Sequence, residues 1–161
     1  MLIWVLGQSR SAISSIISQY LGANKLDEVK NLPAQAIAII LVLSLLICFG
    51  TLPFSKSIFK FYNATGTLLE YSVNYYEIRI IGFPFTLYTF AVFGVFRGLQ
   101  NTYYPMIIAI IGTIVNIFLD VILVYGISDI IPPLQLEGAA LASVISQILM
   151  AIIATILMLK N

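Results

Sequence analysis

One carboxylate stands apart from the other ionisable groups. Asp120 is the only charged residue in the apolar run from 105 to 126, and insertion scales put an aspartate at a helix centre at about 2.5 to 3.5 kcal/mol. At 1.5 Å per residue it lies about four residues, or roughly 6 Å, beyond the middle of that run. Asn116 falls one turn earlier on the same helical face, and Gly112 and Ala109 continue the stripe. One side of this helix is therefore small and polar while Ile and Leu cover the rest, so that side is expected to face protein or water. A carboxylate so placed can bind and release a proton or a sodium ion, and the Asn116 carboxamide oxygen is a second hard ligand. The plainer alternative is a structural polar pair, with Asp120 bonded to Asn116 or to a neighbouring helix.

Two further stripes carry polar groups. In the run 137–159, Ala139, Ser143, Ser146, Gln147 and Met150 share a side, and Gly138, Ala140 and Ala142 make its start narrow. Gly112, Ser146 and Gln147 are thus candidates for a substrate cavity, although small and hydroxylated residues also serve as packing glue between helices. Near the start, Gln8, Ser11, Ser15 and Ser18 recur at helical spacing. Arg10 beside them reads as a snorkelling anchor rather than a substrate group.

The elements that must hold these residues are membrane spans. Of the 161 residues 60% are hydrophobic and 9% charged, against a charged share of about 25% in soluble domains, and mean hydropathy is +1.02. Eight Lys plus Arg against seven Asp plus Glu leave a net charge of +1, which supplies no basic field for nucleic acid. With no histidine and one cysteine, Cys48, the soft ligand clusters of zinc or copper sites cannot be assembled. Cys48 reads as a packed thiol. Neither a Walker-type GxxxxGK[ST] loop nor GxSxG occurs, and no nucleophile and base pair recommends an intramembrane enzyme. The chain is therefore expected to be a transporter component and no enzyme, with no cofactor beyond a coupling ion.

A bilayer core about 30 Å thick needs about 20 apolar helical residues. Five stretches approach that length, residues 2–21, 34–52, 71–97, 105–126 and 137–159, and predict an all-α polytopic bundle in the cell membrane. The first is the weakest, interrupted by Arg10 and rich in Ser and Gln. Pro33 opens the second and Pro53 stops it, as suits a residue without an amide hydrogen. Between the second and third, Ile58, Phe59, Phe61 and Tyr62 alternate with Lys56 and Lys60, the pattern of a short amphipathic helix on the lipid surface. Tyr71, Tyr75, Tyr76, Glu77 and Arg79 place the start of the third segment at the interface, where their polar heads stay wet. Gly82 and Pro84 predict a kink within it. Lys25, Lys30, Arg97 and Lys160 fall on one membrane face, which positive-inside makes cytoplasmic.

Four motifs in register carry a family resemblance. Residues 17–30 (ISQYLGANKLDEVK), 97–105 (RGLQNTYYP), 116–120 (NIFLD) and 136–147 (LEGAALASVISQ) resemble the closing stretch of the second helix, the RG-x-QDT-x-x-P link, the N-x-x-x-D helix and the G-x-GAA-x-AT helix of the multidrug and toxic compound extrusion family. The resemblance implies a two-lobed antiporter that exports organic cations or other amphipathic compounds against protons or sodium, in which this chain corresponds to helices two to six of twelve, part of the amino-terminal lobe. Its ion-site roles carry over by motif to Asn116, Asp120 and Ser143, with Ser143 in place of the usual Thr and Asn101 in place of the Asp of the link. The first helix, with its own acidic residue, and the second lobe are then partners expected outside these residues, together with the lipid bilayer. Rival readings are a lipid or lipid-linked saccharide flippase of the same superfamily, which calls for more cationic residues, and a non-transporting membrane fragment.

Overall fold

The computed structural model describes residues 6–126 and 132–160, and these are helical with short links. The helices are α1 (Ser9–Gly22), α2 (Leu26–Val29), α3 (Leu32–Thr51), α4 (Ser55–Phe61), α5 (Gly66–Gly98), α6 (Tyr103–Tyr125) and α7 (Gln135–Lys160), with a 3-10 turn over Leu52–Phe54. Among the described residues four stretches are long and apolar enough to cross a bilayer: Asp27–Phe61, which contains α3, and the whole of α5, α6 and α7. The first expected span, 2–21, is represented by α1, 14 residues long; residues 2–5 of that span lie outside the described ones.

Local chemistry sets the helix ends. Pro33 stands in the first turn of α3, where its missing amide hydrogen would be unused, and Pro53 sits in the 3-10 turn that ends the helix. Asn24 and Asn63 adopt left-handed φ of 59° and 60° after α1 and α4, a conformation asparagine tolerates because its short side chain bonds locally. Pro84 lies inside α5, which continues through it to 33 residues.

The hub of the bundle is α5. Of its most apolar window 56% is buried, against 11% for α6, because α1, α3 and α7 all pack on α5 whereas α6 leans chiefly on α7. Leu87, Ala91 and Val92 of α5 are fully buried, with Ile13 and Ile17 of α1 and Ile37, Ile40 and Cys48 of α3 against the same core. Contacts fix the directions. Gly94 meets Arg10 and Ile13 while Gly98 meets Ser14 and Ile17, so α1 runs parallel to α5. Asn74 pairs with Glu137 and Tyr88 with Thr155, which makes α7 parallel to α5 as well. Cys48 lies against Ile80 and Thr51 against Tyr76, so α3 is antiparallel, and α6 runs antiparallel to α7 through Gly112 with Met150 and Leu123 with Gly138.

The amphipathic α4 is pinned to the hub. Ser55 Oγ donates to Glu77 Oε1 at 2.8 Å, Tyr76 donates its hydroxyl to Thr51 Oγ1 at 2.7 Å, and Phe59 meets Tyr76 edge-on. Lys56, Lys60 and Phe61 are left exposed.

Candidate ion and substrate site

Between α6 and α7 lies an open cavity of about 170 Å³, lined by Gly112, Thr113 and Asn116 from α6 and Ser143, Ser146, Gln147 and Met150 from α7. The two polar stripes of the sequence thus face one another. Two close approaches allow it. A Cβ on Gly112 would meet the Met150 thioether, and one on Gly138 would run into the Leu123 carbonyl, so glycine at both positions lets the antiparallel pair close up.

Within this pair the polar atoms differ in how far they are committed. The amide nitrogen of Asn116 is buried and makes no hydrogen bond among the described residues, which leaves the carboxamide open to a ligand. Ser143 is half-buried beside it. Ser146 is buried, and its hydroxyl donates to the Ala142 carbonyl at 2.7 Å, so its polar group serves its own helix. Asp120 is half-buried one turn past Asn116 and is not among the residues that line the cavity. Beside it α6 exposes Ile117, Phe118 and Val121.

Gln147 faces two ways. With its carboxamide oriented so that each end meets a complementary partner, the oxygen accepts from Arg79 Nη1 at 3.1 Å and the nitrogen donates to the Gly82 carbonyl at 3.2 Å, with Thr86 Oγ1 also at 3.2 Å. Half-buried Arg79 thus reaches from α5 to Gln147, midway along the 26 residues of α7. Where the sequence suggests a snorkelling anchor at Arg10, the guanidinium lies over the Phe90 ring, 5.4 Å from the centroid, and its Nε is buried with no partner among the described residues. The adjoining stripe of Gln8, Ser11, Ser15 and Ser18 is exposed, while Ile13 and Ile17 turn inward.

Residues outside the sequence candidates also shape the site. Thr113 and Met150 line the cavity, Met150 as a flexible filler. The spacing Gly94-x-x-x-Gly98, a known signature of close helix approach, marks where α1 lies on α5. In the link, Asn101 Oδ1 accepts from the amides of Tyr103 at 3.1 Å and Tyr104 at 3.4 Å. It caps α6 with an oxygen that an aspartate would equally supply.

Comparison with known proteins places this arrangement. The family model MatE matches residues 1–122. Multidrug export protein MepA of Staphylococcus aureus is 30% identical over 145 residues, which is 90% of this chain and 31% of MepA. Protein DETOXIFICATION 42 of Arabidopsis thaliana is 33% identical over 125 residues, 75% of this chain and 23% of that protein. Among solved structures, a MATE in complex with MaD3S superposes with a TM-score of 0.90 at 24% identity, over 98% of this chain and 35% of the other. An outward-facing multidrug resistance MATE family transporter of the MOP superfamily gives 0.88 at 24% identity, covering 98% and 34%. The chain thus spans about a third or less of these relatives' length. With the helical bundle, the family model over most of its length and four motifs in register, this multi-pass membrane protein belongs to the MatE family of multidrug and toxic compound extrusion proteins.

Proposed function

We propose that the chain forms the helix-two-to-six part of the amino-terminal lobe of an efflux antiporter, which exports small amphipathic or cationic compounds across the cell membrane in exchange for protons or sodium. The observation that carries the reading is the cavity in which Asn116 of α6 faces Ser143 of α7, with an uncommitted carboxamide on Asn116 and a carboxylate, Asp120, one turn away on the same helix. Oxygen donors of this hardness suit a small cation. Alternating access needs two halves that rock about a site near the midplane, so the remaining helices of a complete antiporter are its partners in transport. The relatives' names supply the cargo: MepA is a multidrug export protein.

Efflux driven by an imposed proton or sodium gradient tests the assignment in cells that express the complete transporter. Asp120→Asn is expected to abolish coupled efflux while the protein stays in the membrane, and Asn116→Leu to weaken it. Coupling that survives Asp120→Asn unchanged refutes the ion-site assignment.

A further inference from the structure

Gln147 lines the cavity, yet both ends of its carboxamide are engaged on α5. The oxygen is held by Arg79 and the nitrogen by the Gly82 carbonyl. Around these residues the backbone of α5 is short of its own bonds, since Pro84 has no amide hydrogen to give the Ile80 carbonyl four residues earlier. The Cys48 thiol of α3 fills that gap at 3.5 Å, and Thr86 Oγ1 turns back to the Gly82 carbonyl at 3.2 Å. Gly82 itself is the socket: a Cβ there would collide with the Gln147 carboxamide and crowd Val144. The only ion pairs among the described residues are Lys25–Glu28 and Lys30–Asp27, both in the α1–α3 link. Half-buried Arg79 thus has the neutral carbonyl of Gln147, and no carboxylate, as its partner among the described residues.

We propose that Gln147 is a positioning residue, keyed into the Gly82 socket beside Pro84 and latched there by Arg79, so that it fixes α7 on α5 and leaves the polar groups of the cavity to Thr113, Asn116 and Ser143. This differs from the substrate-contact role its stripe suggests, and it stands whether or not the chain takes part in transport. Arg79 and Gln147 share one hydrogen bond, so removing either partner loses the same latch.

Hydrogen exchange measured by mass spectrometry, on the full chain in lipid nanodiscs, tests this. Gln147→Met keeps the volume and removes both bonds; it is expected to speed exchange of the α5 amides just after Pro84 about tenfold. Arg79→Met removes the latch alone and leaves the Gly82 bond, so its rise is expected to be smaller, and the double variant to exchange no faster than Gln147→Met. Gly82→Ala is a second route to the same end: alanine ordinarily stiffens a helix, yet here it evicts the carboxamide and the local exchange should rise. The proposal is overturned by wild-type exchange in Gln147→Met, by a double variant about a hundredfold faster, or by a rise spread evenly over all helices.

Discussion

Alanine at Gly94 is expected to push α1 away from α5, and the size of the effect follows from what its Cβ would touch. The new atom would sit 2.7 Å from the Arg10 carbonyl oxygen and 3.0 Å from Ile13 Cβ, whereas ordinary contact begins at 3.4 Å. One of those neighbours is backbone, so no rotamer change relieves it, and α1 as a whole must retreat by about 0.7 Å. Such overpacking costs about 1 to 3 kcal/mol, and alanine returns up to about 1 kcal/mol of helix propensity over glycine. At full return the net loss should be up to about 2 kcal/mol. Gly50→Ala is the matched control: nothing lies within 4 Å of its Cβ, so the same chemical change should stabilise by up to about 1 kcal/mol. Equilibrium unfolding of the purified chain in mixed micelles, followed by circular dichroism as the SDS fraction rises, reads both. The reasoning fails if the two variants unfold at the same SDS fraction, since the packing of α1 on Gly94 would then contribute nothing.

The same unfolding measurement checks further expectations. Cys48→Val leaves the Ile80 carbonyl without its donor beside Pro84 and should cost about 1 kcal/mol, while Cys48→Ser keeps a donor and should stay near wild type. Gly112→Ala meets the Cγ and Sδ of Met150, a flexible side chain where Gly94→Ala meets backbone, and should cost less than Gly94→Ala, about 1 kcal/mol. Asn101→Asp should preserve the cap on α6 and Asn101→Ala should lose it, at about 1 kcal/mol. Glu77→Ala removes the acceptor for Ser55, and limited proteolysis should then cut within α4 sooner than in the parent chain.

What could be read from the sequence was whatever a single helix contains. Span lengths, the proline starts and stops and the amphipathic α4 each rest on one stretch of chain, and the facing of Asn116 and Ser143 follows from two stripes that are each regular within their own helix. Arg79 shows where that information ends. Its polar neighbours Tyr75, Tyr76 and Glu77 can be read locally, but its partner is a property of two helices, set by the register at which Gly82 admits the Gln147 carboxamide. The partner of Arg10 is hidden for the same reason, because Phe90, over which its guanidinium lies, is eighty residues away on another helix. The spacing of Gly94 and Gly98 was available, and it would have located the α1–α5 contact.

That distinction bears on how the candidate site should be tested. Asn116 and Ser143 belong to two helices that approach each other only as closely as Gly112 and Gly138 permit, whereas Asp120 sits beyond the cavity lining on a helix whose other side bears exposed Ile117, Phe118 and Val121. A carboxylate half-open beside an apolar face is costly in lipid unless a further polar surface covers it. Helices packed against that face of α6 would therefore change the environment of Asp120 far more than that of Asn116 or Ser143. Accessibility of a cysteine placed at Asp120 should accordingly fall sharply between the isolated chain and the complete transporter, in a Cys48→Ser background, while a cysteine at Ser146, already buried between α6 and α7, should change little. Equal labelling of Asp120→Cys in the two contexts would show that nothing covers this face, and would remove Asp120 from the ion site.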